Sequence, residues 1–208
     1  MVIRSSKGEF SAQTVIVTVS AGVLALNQIE FEPVLPAPWR STIESLPMGS
    51  FAKVAIQFDR DAYDGFRDDS LVYLEKPSTF IDIVTGLDEH RMAIAHLFGE
   101  RAIEIERMSE SQALDFVLAR LEKVFGSAIR DRVVTSSRTQ WGCDPHVLGS
   151  YAAALPGRSD ARAELATTLG GRIVFASEAT SKTHYGFARG AYLEGKAAAE
   201  RVIAMLRH

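Results

Sequence analysis

Apolar positions along this chain follow two rhythms, and each predicts its own kind of element. From Ala52 to Phe58 every second residue is apolar, with Lys53 and Gln57 between them, so the run reads as a strand with one covered face. Leu71 to Leu74, Thr79 to Val84 and Met92 to Phe98 predict further strands, and Arg132 to Gln140 another. Thr14 to Val19 is an unbroken β-branched run, the pattern of a strand covered on both faces. Leu114, Val117, Leu118, Leu121, Val124 and Phe125 recur instead at helical spacing. Ser109 and Gln112 form a capping box ahead of that helix, and Gly126 is its stop. At the start, Met1 to Phe10 predicts a hairpin turning at Ser6-Lys7-Gly8, and Ser20 to Leu24 a turn. The prolines between Glu32 and Pro38 exclude helix interior and suggest a boundary, with a short helix from Trp39 to Leu46. The chain closes on a strand at Arg172 to Ala176 and a small-residue helix from Phe187 to Leu206.

The first and last segments share a buried α/β character, whereas the middle is richer in strands. A discontinuous domain interrupted by a second one is the simplest reading: residues 1–35 and 166–208 form one, residues 36–165 the other. The expected class is α/β with α+β character.

Composition narrows the function classes. With 208 residues, 47% hydrophobic and 24% charged, the chain can bury one or two cores. A net charge of −3 gives no reason to expect nucleic acid or an anionic membrane as partner. The single Cys143 excludes an internal disulfide framework and fits a reducing compartment, so a cytoplasmic location is expected. No apolar run approaches the roughly 20 residues of a membrane span. No metal site is expected.

The candidate chemistry lies where the last strand meets the last helix, through Ser177-Glu178-Ala179-Thr180 and Gly186-Phe187 to Gly190-Ala191-Tyr192. A helix start leaves backbone N–H groups unpaired and carries partial positive charge, which suits an electron-rich ligand edge. Earlier pieces accompany it in order: Val15 to Val19, Phe31 to Pro36, Lys53-Val54, Trp141-Gly142-Cys143-Asp144-Pro145, and Gly149-Ser150-Tyr151. Together the set resembles the flavin-containing amine oxidases, among them monoamine, polyamine and L-amino-acid oxidases. The resemblance covers the C-terminal half of that fold only. The family opens on a strand, a Gly-x-Gly-x-x-Gly turn and a helix that bind the adenosine diphosphate of FAD, and this chain contains no such fingerprint.

The resemblance implies a partial FAD-binding, Rossmann-like domain interrupted by a mixed-sheet substrate domain. It also implies oxidation of an amine to an imine by FAD, with oxygen reduced to hydrogen peroxide. Lys53 would be the catalytic residue, holding a water against the flavin; otherwise it is a solvated lysine on an amphipathic strand. Tyr151 and Phe187 resemble the aromatic walls flanking the amine, and Trp141 belongs to the same region; all three could instead be core aromatics. Cofactor contacts would come from Val2, Glu178, Ala179, Gly186, Phe187, Gly190 and Ala191. Ser150 stands where monoamine oxidases carry the cysteine bonded to the cofactor, so FAD would be held without a covalent link. Ser177 replaces a usual glycine, which bears on how closely a flavin could approach. Two arrangements follow: a subunit that acts with a separate N-terminal FAD-binding subunit on a small-molecule amine, or a non-catalytic remnant that self-associates as a homo-oligomer. A desaturating or porphyrinogen-oxidising relative is a third, against which Lys53 argues.

Overall fold

The computed structural model describes residues 1–59, 70–76, 79–87 and 91–207. The chain divides into two compact units, a terminal one formed by residues 1–49 and 145–208 and a central one formed by residues 50–144.

In the central unit, β5 (Phe51–Phe58), β6 (Ser70–Lys76), β7 (Thr79–Gly86), β8 (Met92–Phe98) and β9 (Val133–Arg138) build one sheet in the order β6-β7-β8-β5-β9. Every neighbouring pair is antiparallel. The alternation read in β5 is obeyed: Ala52, Val54, Ile56 and Phe58 are buried, as are Ala93, Ala95 and Leu97 beside them on β8 and Ile81 and Ile83 on β7. That face packs on α3 (Glu100–Arg107) and α4 (Glu110–Phe125) through Ala102, Ile105, Ala113, Val117, Leu118 and Leu121. The Ser109 capping box forms in both directions, and Gly126, at φ +79°, ends α4. Val124, expected in the core, is exposed, because it lies off the stripe that faces the sheet. Helix α3 was not expected: its buried Ala102 and Ile105 give only one turn of helical spacing.

In the terminal unit, β1 (Val2–Ser5) and β2 (Gly8–Ser11) form the expected hairpin, exposed throughout. β3 (Val15–Val17) runs parallel to β12 (Ile173–Phe175), and β11 (Thr168–Leu169) pairs antiparallel on the far side. The predicted turn at Ser20 to Leu24 is instead helix α1 (Ala21–Ala25), because the Ser20 hydroxyl caps it by accepting from the Val23 N–H. Helix α2 is Ala37–Glu44 and α5 is Ala161–Leu165. One side of the sheet, with Phe175, packs on these helices; the other, with Val174 and Ala176, packs on Ala198 of α6 (Ala188–Leu206). A two-residue ribbon joins β4 (Met48–Gly49) to β10 (Tyr151–Ala152).

The expected boundaries at 35/36 and 165/166 do not coincide with the edges of these units. Leu35, Ile43, Leu46, Ala152, Ala161 and Leu165 share one core with Phe175, so α2 and α5 belong with the termini.

Candidate functional site

In the terminal unit, the short 3-10 turn Glu178–Thr180 is held by its own Ser177, whose hydroxyl accepts from the Ala179 N–H. The Ser177 side chain is thus turned into its own turn. Glu178 joins three segments. One carboxylate oxygen accepts from the Ala152 N–H at 2.7 Å and the other from the Gly186 N–H at 2.7 Å. Arg162, buried on α5, completes the link by donating to the carbonyls of Ala152 (2.8 Å) and Ala179 (3.1 Å). Its guanidinium lies 4.2 Å from the centre of the Tyr185 ring. Burial lowers its pKa below the ordinary arginine value, against the opposing pull of Glu178.

This arrangement brings Tyr151, Glu178, Ala179 and Gly186 together. The half-buried Tyr151 ring lies against Gly49 across the ribbon, where a Cβ would stand 3.1 Å from it. Gly186, at φ +76°, faces the same ring. Phe187 follows as the first residue of the α6 turn and is 69% exposed, so it is not a core aromatic. It gives α6 no side-chain cap. The first helical N–H groups, of Ala188 and Arg189, therefore lack the acceptor that a helix interior supplies, and Ala191 is exposed beside them. Such a start suits an electron-rich ligand edge. Gly190 is small for an internal reason, since a Cβ there would overlap the His184 carbonyl oxygen. Val2 lies on the exposed β1–β2 hairpin.

In the central unit, the sheet face opposite α3 and α4 carries an ordered set of rows. Register places Lys53, His96 and Asp82 side by side on β5, β8 and β7. His96 Nδ1 and Asp82 Oδ2 are 3.2 Å apart. On one side stand Phe51 and Phe98, stacked at 4.7 Å and 7°, with Phe51 also 5.5 Å from the His96 ring. On the other stand Ala55, Ile94 and Val84. A polar row between aromatic and aliphatic rows has the make-up of a ligand-binding floor, apolar surface with a few placed polar groups. Lys53 is exposed, its ammonium 5.3 Å from the Phe51 ring centre, and its strand is fixed by a 2.9 Å bond from its N–H to the Thr139 hydroxyl.

Trp141 is 49% exposed, which removes the reading as a core anchor. Its loop is tied down by buried Glu106, whose carboxylate accepts from the Gly142 N–H and whose carbonyl accepts from Arg138 and Gln140. Cys143, next along, is exposed. Among the described residues no cluster could hold a metal ion, and no helix is long and apolar enough to cross a membrane. Sequence reasoning passed over Arg162, His96 and Asp82. The alternation of Met92 to Phe98 does set His96 apart from the core positions, but only strand register brings it beside Lys53 and Asp82.

The family model described as "Flavin containing amine oxidoreductase" matches residues 2–203. Polyamine oxidase 4 of Oryza sativa subsp. japonica is 34% identical over 196 residues, covering 92% of this chain and 39% of that protein. The probable polyamine oxidase 4 of Arabidopsis thaliana is 32% identical over 201 residues, covering 92% of this chain and 38% of that protein. Among solved structures, cyclohexylamine oxidase from Brevibacterium oxydans IH-35A superposes with a TM-score of 0.81 at 23% identity, over all of this chain and 46% of that one. The chain thus spans about two fifths of the length of these relatives and under half of that structure. With a mixed α/β fold shared with an amine oxidase and a family match along nearly its whole length, the chain belongs to the flavin containing amine oxidoreductases.

Proposed function

We propose that this chain is the C-terminal portion of a FAD-dependent amine oxidase, which converts an amine or amino acid to its imine with oxygen as final acceptor, and that it acts only when joined by a dinucleotide-binding half. The observation that carries the reading is coverage. The chain aligns almost end to end with its relatives, yet matches about two fifths of their length and contains no Gly-x-Gly-x-x-Gly turn. When bound, the flavin supplies the electron acceptor for the amine C–H and passes the electrons to oxygen. This chain's residues would hold and orient. The uncapped start of α6, with exposed Ala191, would meet the flavin ring, and Glu178 with Ala179 and Gly186 would shape its approach. In the terminal unit Tyr151 and Phe187 would flank the amine, and in the central unit Lys53 would hold a water for reoxidation. With Ser150 at the linkage position, the cofactor would be held without a covalent bond.

A property of α6 supports a covering partner. Tyr192, Ala199, Ile203 and Leu206, spaced by seven, four and three residues, fall on one side of the helix. All four are exposed, whereas Ala198, which packs on the sheet core, and Gly190, buried against His184, lie outside that stripe. A helix apolar on both sides is the pattern of one buried in a larger protein. The same stripe favours a second reading, a non-catalytic chain whose copies cover the stripe mutually.

The test is to purify the chain alone and together with a polypeptide that carries the strand, Gly-x-Gly-x-x-Gly turn and helix. The chain alone is expected colourless and without peroxide production from amines, while the joined pair binds FAD releasable by denaturation. Stoichiometric flavin on the chain alone would overturn the requirement for a second half. A colourless pair would favour the non-catalytic reading.

A further inference from the structure

We propose that Glu106 is a positioning residue for Lys53, acting through the backbone of the segment 138–142, a proposal that rests on the reading of this chain as part of an amine oxidase. Glu106 lies in the last turn of α3, where helix carbonyls have no partner within the helix. Its carbonyl accepts from the Arg138 guanidinium at 3.1 Å and from the Gln140 amide at 3.2 Å. Its two carboxylate oxygens stand 3.2 and 3.1 Å from the Gly142 nitrogen and share that N–H. One helical residue thus holds every second residue of the stretch that ends and continues β9. The residue between the first two, Thr139, holds Lys53. Its hydroxyl accepts from the Lys53 N–H at 2.9 Å, and its own N–H donates to the Lys53 carbonyl at 3.0 Å. Both polar groups of the Lys53 backbone therefore rest on a residue flanked on each side by a partner of Glu106.

The charge on Glu106 gives the tie its character. The residue is only 6% exposed, and among the described residues the Gly142 N–H is the one donor to its carboxylate. A buried carboxylate is costly, and a neutral amide could accept the same bond without that cost. What the charge adds is a bond roughly twice as strong as a neutral one. Gly142 sits inside the turn that Gln140 closes by accepting from the Cys143 and Asp144 N–H groups, so its own N–H has no partner there but Glu106. Residue 142 is also small for this contact, since a Cβ would overlap Glu106 Oε2. Lys53 itself is exposed and its long side chain is free to turn, so the place of its ammonium depends on where its backbone is fixed. A displacement of about 1 Å at a reacting group can cost on the order of a hundredfold in rate. Glu106 lies at the helix-covered side of the sheet and Lys53 on the open face, so the effect passes through the strand.

The test is amide hydrogen exchange on the chain alone, without flavin. In the wild type the Lys53, Thr139 and Gly142 amides are expected to open as one unit, with protection factors within about tenfold of each other. Glu106→Ala removes the acceptor, and Gly142→Ala displaces it from the other side. Each is expected to speed exchange at Lys53 and Thr139 at least about tenfold more than at Ile83 and Ala95, which pair elsewhere in the same sheet. Glu106→Gln keeps an acceptor for Gly142 and should recover part of the protection. A wider spread among the three wild-type amides, or equal acceleration at all of these positions in the variants, would overturn the proposal. The wild-type measurement does not depend on either variant folding. In the joined pair, Glu106→Ala is expected to slow the oxygen-dependent half of turnover at least about fivefold while leaving the amine-dependent half unchanged, and an equal loss in both would count against positioning. Failure of the oxidase reading is separate, since flavin uptake and peroxide formation by the unaltered pair decide it.

Discussion

Glu178 ties together segments that lie far apart in the chain. Its carboxylate holds the Ala152 and Gly186 N–H groups, and each of these sits next in sequence to an aromatic proposed above to flank the amine, Tyr151 and Phe187. Hydrogen bonds to a charged acceptor contribute about 1.5–3 kcal/mol, and an amide oxygen can replace only one of the two. Glu178→Gln is therefore expected to lower stability by about 2 kcal/mol, read as a shift in the urea midpoint at constant m. An unchanged midpoint would show that neither bond matters. Gly190 poses a contest of two effects. Alanine is favoured over glycine in a helix by about 1 kcal/mol, but its Cβ would meet the backbone carbonyl of His184, which cannot swing away as a side chain could. Overlap wins, so Gly190→Ala is expected to destabilise the chain and to displace the loop 181–187, visible as altered amide shifts there.

At the scale of elements, the capping box and the acid behaviour of α5 are the sharpest cases. Ser109→Ala removes the acceptor for the Gln112 N–H and is expected to cost about 1 kcal/mol, measured as a lower thermal midpoint. Glu164 on α5 is held below the ordinary glutamate value of 4.5, first by the Thr42 hydroxyl and then by Arg158. A carboxyl depressed in the folded state adds stability that is present above its unfolded value and lost as pH falls through its folded value. Glu164→Gln is therefore expected to flatten the decline of the thermal midpoint below pH 4.5 while still losing stability at neutral pH. A decline as steep as that of the wild type would refute the assignment. Among the strand and helix patterns that were readable, β5, β8 and α4 each had a long periodic run behind them, whereas the β1–β2 hairpin, β3 and α2 were read from turn, β-branched and proline signals. Helices α1, α3 and α5 were not readable, because five to eight residues carry too few turns for periodicity to rise above the surrounding sequence and, unlike α2, no proline marks their start.

At the scale of the molecule, α6 is the informative element. Its place and small-residue character were legible, but the presence of apolar residues on both sides acquires meaning only once one side is seen to be occupied by the sheet. Tyr192 is 71% exposed, so Tyr192→Glu should leave the chain's own stability within about 0.5 kcal/mol. If the stripe is where a second half docks, the same change should abolish co-purification with that half. Retained co-purification would move the interface elsewhere. Lys53 and Trp141 belong to one compact unit, and Tyr151, Glu178 and Phe187 to the other. The sequence order of these motifs was therefore a guide to the family rather than to any single local cluster.

The chain's own order of residues determined the family, the class of each long element and the absence of the glycine fingerprint, because all three are properties of type and spacing along one dimension. Tertiary structure alone decided that Lys53, His96 and Asp82 share a row and that Glu178 and Arg162 bind three distant segments together. It also decided that the units divide at residues 49/50 and 144/145 rather than at 35/36 and 165/166. Strand register and core membership depend on which segments meet across the fold. A shift of one residue in register would turn every side chain to the other face, and nothing local in the sequence records that choice.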